Sequence, residues 1–141
     1  MIRKLQKVDI NKVADIWLNT NLEAHYFIPG QYWQSNYNMV KEMFAQTEVY
    51  VYEDAGEILG FAGLDGEYIA GIFVSAEVQS QGVGKLLLRF IKGRKEKLCL
   101  NVYQKNTRAI HFYRREGFEI QCESLDEATG EKEYGMLWQR K

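Results

Sequence analysis

The sequence predicts a single α/β (α+β) domain over residues 1–141, with roughly six to seven strands in a mixed central sheet and about four helices. Strand-like and helix-like segments follow one another in the order β-α-α-β-β-β-α-β-α-β-β, without a repeat or a linker. The chain of 141 residues can bury one sizeable core but not two. Its composition, 46% hydrophobic and 26% charged with a single proline, is typical of a globular protein.

Seven segments are predicted to be strands because they are short runs rich in β-branched and aromatic residues, bounded by turn-forming residues. Two of them flank Asp54-Ala55-Gly56-Glu57, a sequence typical of a hairpin turn. The run at 98–102 is apolar enough to predict a buried strand. The predicted strands are residues 2–5, 48–53, 58–64, 68–74, 98–102, 118–123 and 133–138.

The predicted helices carry apolar residues at helical spacing. The first follows Asp9, a residue that caps helices well, and the others span 34–46, 82–94 and 107–116. The only proline and a glycine predict a loop at 25–32. Positions expected to be buried are Tyr37, Val40, Met43 and Phe44 in the second helix, and Val83, Leu86, Leu87, Phe90 and Ile91 in the third.

The stretch Gln79-Ser80-Gln81-Gly82-Val83-Gly84-Lys85 stands between a predicted strand and a predicted helix. The first turn of a helix has amide N–H groups without intrahelical partners, and glycine lets a loop approach a phosphate closely. A Walker A loop is excluded because Gln79 and Leu86 replace its first glycine and its hydroxyl residue. A dinucleotide fingerprint is excluded because Leu87 replaces its third glycine. The stretch therefore predicts a site for a phosphate-bearing ligand, assisted by the side chains of Gln79 and Lys85.

A second motif follows the strand at 98–102. It reads Asn106-Thr107-Arg108-Ala109-Ile110-His111-Phe112-Tyr113-Arg114-Arg115-Glu116-Gly117-Phe118. Asn106 is a good residue to begin a helix and Gly117 a good one to end it, about three turns later. Tyr113 falls on the same helix face as Asn106, so its phenol is presented on the side of the cap.

The two motifs resemble those of the GNAT superfamily of acyl-CoA N-acyltransferases. Gln-x-x-Gly-x-Gly at 79–84 is similar to its pyrophosphate loop, and the stretch 101–118 is similar to its strand followed by Asn-x-x-Ala-x-x-Phe-Tyr-x-x-x-Gly-Phe. Residues 32–33 and 102–106 resemble small stand-alone bacterial acetyltransferases. The resemblance implies a GNAT-like sheet that splays apart between 68–74 and 98–102. It also implies transfer of an acetyl group from acetyl-CoA to a protein lysine, an N-terminus or a small-molecule amine, by direct attack in a ternary complex.

The resemblance also implies which residues contact the acetyl-CoA. Its pyrophosphate is expected on the amides of the glycine loop, and its pantetheine arm along the backbone of 72–74. A backbone N–H near Val74 is expected to polarise the thioester carbonyl. Tyr113 is expected to be catalytic, as the general acid that protonates the departing thiolate. The expected cofactor-binding residues are Ile72, Phe73, Val74, Gln79, Gln81, Gly82, Val83, Gly84, Lys85 and Asn106.

The general base stays open. In several relatives it is a glutamate on the strand that enters the phosphate loop, and Tyr68 occupies that position here. The alternatives are Asp65, Glu67, a chain of water molecules, and His25, which titrates near neutrality. The loop around His25 stands where the superfamily builds its acceptor pocket. The expected substrate-binding residues are His25, Tyr26 and Asn101.

Composition bears on partners and location. A formal net charge of −1 gives no general attraction to nucleic acid or to anionic membranes, and no apolar run reaches the length of a membrane span. No metal is expected, because neither Cys nor His occurs at a ligand spacing. Cys99 and Cys122 are expected to be reduced core residues of a cytoplasmic protein. The last predicted strand could pair with a second copy, so a monomer and a homodimer are both open.

Two other functions stay open. The chain could bind acyl-CoA without transferring the acyl group, as a sensor or regulatory module, because the sequence assigns no base. It could also bind another phosphorylated ligand through the glycine loop alone. An ordinary glycine-rich turn before an amphipathic helix is the simplest alternative for that loop.

Overall fold

A computed structural model describes all 141 residues, and its seven strands form one sheet. The strands are β1 (Ile2–Lys4), β2 (Glu48–Asp54), β3 (Glu57–Asp65), β4 (Tyr68–Val74), β5 (Lys97–Tyr103), β6 (Glu119–Asp126) and β7 (Glu131–Gln139). Their order across the sheet is β1-β2-β3-β4-β5-β7-β6, and only β4 and β5 pair in parallel. The predicted mixed sheet of six to seven strands is confirmed.

Helices pack on both faces of this sheet. They are α1 (Ile10–Ala24), α2 (Gly30–Ser35), α3 (Tyr37–Phe44), α4 (Val83–Lys92) and α5 (Thr107–Arg115). Phe61 and Ala62 are neighbours in β3 but belong to different cores, because successive side chains of a strand point to opposite faces. Phe61 packs with α1 and α3, whereas Ala62 packs with α4 and α5. None of the helices combines the length and the apolar character that a membrane crossing needs.

The sheet opens between β4 and β5. A single register pair, Tyr68 with Cys99, joins the two strands, together with a 2.9 Å hydrogen bond from the Cys99 N–H to the Glu67 carbonyl. Beyond this pair the strands separate, so the edge of β4 that faces β5 is unpaired up to Val74. The predicted splay between these strands is confirmed.

A β-bulge lies in β4 where the gap begins. The register against β3 shifts between the pairs Gly63–Gly71 and Leu64–Ile69, so Ala70 is the extra residue. A bulge increases the local twist and changes the direction of nearby backbone groups. The bulge therefore accompanies the departure of β4 from β5.

The second predicted helix, 34–46, is in fact two helices, α2 and α3. Because α2 begins at Gly30, the predicted loop at 25–32 is also shorter than expected. Pro29 does not prolong the loop but precedes α2, where its φ of −54° suits the start of a helix. Asn36 ends α2, and its Nδ2 donates a 2.7 Å hydrogen bond to the Tyr32 carbonyl. Asparagine side chains compete with helical backbone bonds in this way, which explains a break inside an apolar-periodic run.

Three residues expected in the core are exposed. Leu86 is 49% exposed because α4 is rotated so that Leu88 is buried instead, and both arrangements fit a helical period. Met43 is also half exposed, at the end of the short helix α3. Cys122 lies on the edge strand β6, whose side chains are nearly all exposed, and Cys99 is only partly buried. Both thiols are free.

Candidate active site

A cleft of about 1140 Å³ opens where β4 and β5 separate. We call its two sides the loop wall (residues 72–85 and 105–116) and the α1 wall (residues 20–26). A smaller cleft of about 460 Å³, between residues 4–10 and 44–49, contains no predicted site residue. The predicted site residues that line the larger cleft are Ile72, Phe73, Val74, Gln79, Gly82, Val83, Gly84, Lys85, Asn106, Tyr113, His25 and Tyr26.

The first turn of α4 presents free backbone amides to the cleft. Gly82 precedes the helix with a φ of 87°, a left-handed conformation that favours glycine. The first helical bond runs from the Leu86 N–H to the Gly82 carbonyl, and the amides of 82–85 make no hydrogen bond within the protein. Gln81 differs, because its N–H is bonded to the Val78 carbonyl at 3.3 Å and its side chain does not line the cleft. Four free donors at the positive end of a helix form a site for an anion.

Gln79 and Arg108 fix the shape of the loop before α4. The Gln79 Nε2 donates to the Val74 carbonyl at 3.1 Å, and its Oε1 accepts a 3.2 Å bond from Arg108 Nη1. Arg108 Nη2 also donates to Ser80 Oγ at 3.0 Å, where Ser80 has a left-handed φ of 68°. The polar atoms of Gln79 are therefore used within the protein rather than left free for a phosphate.

The cleft concentrates positive charge in a chain whose net charge is −1. The pair between Arg89 and Glu116, 3.5 Å apart, neutralises part of it. This excess suits a polyanionic ligand. No group of three or more His, Cys, Asp or Glu residues is placed to bind a metal ion. The cationic side chains that line the cleft are Lys85, Arg89, Lys105, Arg108 and Arg115, against the carboxylates of Glu23 and Glu116.

Tyr113 lies on α5 between the rings of Phe112 and Phe118, whose centroids are 5.1 and 5.4 Å away. The helix begins as the sequence predicts, because the Asn106 Oδ1 accepts a 3.2 Å bond from the Ala109 N–H. The Tyr113 residue lines the cleft, and its hydroxyl has no hydrogen-bond partner in the protein. Burial raises the pKa of Tyr113, and the nearby Tyr68 raises it further. The phenol therefore keeps its proton at neutral pH.

His25 belongs to the α1 wall and reaches across to Asn106 on the loop wall. Its Nδ1 is 2.8 Å from Asn21 Oδ1, and its Nε2 is 3.0 Å from Asn106 Nδ2. Burial lowers the pKa of His25 to about 4. The ring is neutral at pH 7 and both of its nitrogens are engaged, so it is a weak base.

Sequence comparison identifies the family to which the protein with this cleft belongs. A family model described as an acetyltransferase (GNAT) domain matches residues 45–120, which include the loop wall. The chain belongs to the GNAT acetyltransferase family. Enzymes of this family use acetyl-CoA as the acyl donor, and the predicted donor and enzyme class are confirmed.

Individual relatives agree with the GNAT assignment. The chain is 35% identical over 130 residues to the peptidyl-lysine N-acetyltransferase YiaC of Escherichia coli K12, covering 90% of this chain and 89% of that protein. The solution structure of apo YjaB from Escherichia coli matches with a TM-score of 0.86 at 21% identity, covering 97% of this chain and 95% of that one. A Bacillus anthracis structure in complex with acetyl coenzyme A matches 67% of this chain and 63% of that one, with a TM-score of 0.61 at 23% identity. The predicted GNAT fold is confirmed.

Several residues predicted from the GNAT resemblance lie apart from the centre of the cleft. Tyr26 stands at its rim and is 81% exposed. Asn101 is exposed on β5 and does not line the cleft. Asp65 ends β3 and Glu67 lies in the turn before β4, both at the closed end of the gap, and Glu67 is 3.8 Å from Lys97. The two carboxylates are therefore a strand length away from the loop wall.

An acidic pair lies on the sheet under α2. The Tyr103 hydroxyl donates to Asp126 at 2.6 Å, and Glu133 is the register partner of Tyr103 on β7. Burial, and then the charge of Asp126, raise the pKa of Glu133. The charge of Glu133 contributes in turn to the raised pKa values of Tyr32 on α2 and Tyr68 on β4, for which burial is the larger cause. Glu133 therefore lies within electrostatic range of Tyr68 on β4 and is paired with Tyr103 on β5.

Sequence reasoning missed two residues that line the cleft, Asn21 and Arg108, and a third, Glu133, that does not line it. Asn21 stands one helical turn before His25, and that spacing could have suggested a hydrogen bond between them. Arg108 lies two residues after the predicted cap of α5, but its contact with the loop depends on how α5 packs. Nothing local in the sequence singles out Glu133, because its position depends on the pairing of β5 with β7.

Proposed function

We propose that this GNAT enzyme is a peptidyl-lysine N-acetyltransferase, which transfers the acetyl group of acetyl-CoA directly to the ε-amine of a protein lysine in a ternary complex. The observation that carries the proposal is the cleft itself, where unpaired strand backbone, free helix amides and a protonated tyrosine meet. The lysine acceptor is supported by the 35% identity to a peptidyl-lysine N-acetyltransferase. A cytoplasmic location, and a monomer or homodimer, stay predictions from the sequence.

The loop wall is proposed to bind the cofactor's phosphates. The free amides of 82–85 donate to the pyrophosphate, and Lys85 adds charge. Gln79 acts indirectly, by holding the loop against Val74, and Arg108 stands close enough to that loop to contact a bound phosphate. Gln81 does not donate to the pyrophosphate in this proposal, because its N–H is already bonded to the Val78 carbonyl.

The backbone of 72–74 is proposed to bind the pantetheine arm. This segment has no β5 partner, so the amides of the arm can pair with it as an added strand does. Phe73 is stacked on Phe61 at 4.9 Å, which fixes the position of this strand end. Asn106 lies across the cleft and contacts the arm from α5. Acetyl-CoA supplies the activated acetyl group, whose carbonyl oxygen is polarised by a backbone N–H near Val74.

Tyr113 is proposed as the general acid. Its raised pKa keeps it protonated, and its hydroxyl has no protein partner, so the proton is available to the departing thiolate. A thiol has a reference pKa of about 8.5, so the thiolate needs only a weak acid at neutral pH. A buried tyrosine meets this requirement.

The acceptor lysine must lose a proton before it attacks. At pH 7 this costs about 5 kcal/mol from the reference pKa of a lysine. His25 is unsuitable as the base because its Nε2 lone pair is occupied and its pKa is low. We infer that Glu133 accepts the proton through water. It pairs with Tyr103, whose ring contacts His25 at 4.9 Å, and its raised pKa makes it more basic than an ordinary glutamate. Tyr26, at the rim of the cleft, is proposed to contact the lysine, whereas a contact from Asn101 stays a prediction from the sequence.

Two measurements test this function. Melting of the protein with acetyl-CoA or CoA, but not with ATP or NAD, is expected to show stabilisation of about 2.7 kcal/mol at a hundredfold excess over the dissociation constant. Incubation with acetyl-CoA and peptides that carry a lysine, a free α-amine or neither is then followed by mass spectrometry. Acetylation confined to the lysine peptide supports the proposal. Acetylation of the α-amine alone replaces the acceptor, and binding without amine-dependent release of CoA identifies a sensor.

A further inference from the structure

His25 connects two helix ends that are distant in sequence. It is the residue at the end of α1, and Asn106 is the cap of α5, 81 positions later. The connection crosses the mouth of the cleft, from the α1 wall to the loop wall. Asn21 continues it into α1 through the 2.8 Å contact with Nδ1. A chain of three side chains therefore joins the two walls.

The proton positions in this series of hydrogen bonds follow from the two asparagines at its ends. Asn21 Nδ2 donates to the Trp17 carbonyl at 2.9 Å, so Asn21 Oδ1 is the acceptor that faces His25 Nδ1. Asn106 Oδ1 accepts from the Ala109 N–H, so Asn106 Nδ2 is the donor that faces His25 Nε2. His25 must then carry its proton on Nδ1 and its lone pair on Nε2.

The surroundings of the ring favour the same neutral form. Aromatic rings of Trp33, Tyr103 and Phe27 lie 5.5, 4.9 and 5.7 Å from it, centroid to centroid. Tyr103 is the one titratable side chain among these contacts, and burial and its bond to Asp126 keep it protonated. Lys105 adds a positive charge over the Phe27 ring at 5.4 Å. A protonated imidazole would therefore lose its Asn106 donor and find no counter-ion in contact.

We propose that His25 is a positioning residue, a neutral imidazole that fixes Asn106 and the end of α1 at one separation and so sets the width of the cleft mouth. Its kinetic consequence rests on the acetyl transfer proposed above, whereas the hydrogen-bonded bridge does not. The Asn106 amide is then held at both ends, by the cap bond to Ala109 and by the bond to His25. This places Asn106 in one orientation toward a bound donor and keeps the loop after α1 beside it.

The bridge is tested first by ¹⁵N NMR of the two imidazoles. We expect His25 to remain the neutral Nδ1–H form from pH 8 to pH 5, with His111, exposed on α5, as the second imidazole signal. Asn106→Asp keeps an oxygen to cap α5 but replaces the donor with a carboxylate. This change is expected to raise the His25 pKa from about 4 to about 6. An Nε2–H form, or a His25 that becomes protonated between pH 8 and pH 5, overturns the proposal.

Kinetics of two variants test the positioning. His25→Asn retains a donor to Asn21 and loses the bond to Asn106, whereas His25→Gln retains an acceptor for Asn106 and loses the bond to Asn21. Each is expected to lower kcat/KM for the lysine peptide about threefold to tenfold while the pH profile keeps its shape. His111→Gln is the matched control and should change neither quantity.

The other outcomes are distinct. A loss of 100-fold or more, with loss of the titrating limb of the pH profile, would make His25 the general base and overturn the proposal. A lower melting temperature with unchanged kinetics would make the bridge structural only and also overturn it. If no amine is acetylated, the proposed function fails, and the NMR experiment still decides whether the bridge exists.

Discussion

The two walls of the cleft are built in different ways. The loop wall presents main-chain groups that have no partner in the protein. These are the amides of 82–85 and the open edge of 72–74, apart from the Val74 carbonyl that accepts from Gln79. The α1 wall presents side chains whose polar atoms are already paired, as in the contacts of His25 with Asn21 and Asn106. The loop wall therefore has free groups for a ligand, whereas the polar groups of the α1 wall stabilise the protein itself.

This difference separates features that many sequences can form from features that depend on individual residues. A site made of backbone needs glycine, a helix start and an open strand edge, and many sequences can supply these. A site made of paired side chains depends on the individual residues, such as His25 or the Asp126–Tyr103 pair. We expect donor binding to depend on the loop wall, and the choice and alignment of the acceptor to depend on the other side.

Tyr113→Phe provides the largest test, because the hydroxyl of Tyr113 is the one side-chain group of the loop wall assigned to chemistry. The change is expected to lower kcat about 100-fold, as the loss of a general acid does, and to leave the acetyl-CoA melting shift unchanged. Tyr52→Phe, a partly buried tyrosine on β2, serves as the control. Equal turnover in wild type and Tyr113→Phe would remove the acid role.

Glu133→Gln tests the proposed proton acceptor, which lies on β7 outside both walls. We expect kcat/KM for the lysine peptide to fall at least about tenfold at pH 7, with little change in acetyl-CoA binding. Because the pKa of Glu133 is raised, wild-type activity should increase with pH through a limb that lies above the usual glutamate value, as the carboxylate loses its proton. That limb should be absent in the variant. Glu123→Gln, exposed on β6, should retain it.

Gly82→Ala tests whether the loop wall works through its backbone. A φ of 87° costs an alanine about 1–2 kcal/mol, and relief of that strain would turn the free amides away from the ligand. Affinity for acetyl-CoA should fall about tenfold. Gly56→Ala is a matched control because its φ is 80° in a distant hairpin, so it should lower stability similarly and leave affinity intact. Equal affinity in all three proteins would contradict a backbone site.

The smallest effect is a dependence of stability on pH at the α1 wall. The pKa of His25 is about 4 in the folded state and about 6.5 in the unfolded state. Its contribution is therefore fully present above pH 6.5 and is lost as the pH falls toward 4. Urea unfolding at pH 7.5 and pH 5.5 should show about 1 kcal/mol more loss in wild type than in His25→Gln. The lowered pKa of Asp9 acts at more acidic pH and affects both proteins alike. Identical losses would mean that His25 is not buried neutral.

The sequence predicts the loop wall well and the α1 wall poorly, for a physical reason. The glycine loop, the Asn106 cap and Gly117, with its left-handed φ of 95°, are local features whose conformation their own residues decide. The partners of His25 and the place of Glu133 depend on packing between distant segments. The break at Asn36 was missed because the apolar period continues across it.

The junction between β4 and β5 has a consequence for the mechanical cohesion of the sheet. A four-stranded piece and a three-stranded piece share a single register pair, so little main-chain bonding holds them together. A donor that bonds along the open edge acts as a removable part of the sheet, and it lends the structure cohesion only while it is bound. The resistance of β4 amides to hydrogen exchange would then measure how much acetyl-CoA surrounds the enzyme. The cohesion of the sheet would then depend on the concentration of the enzyme's own donor.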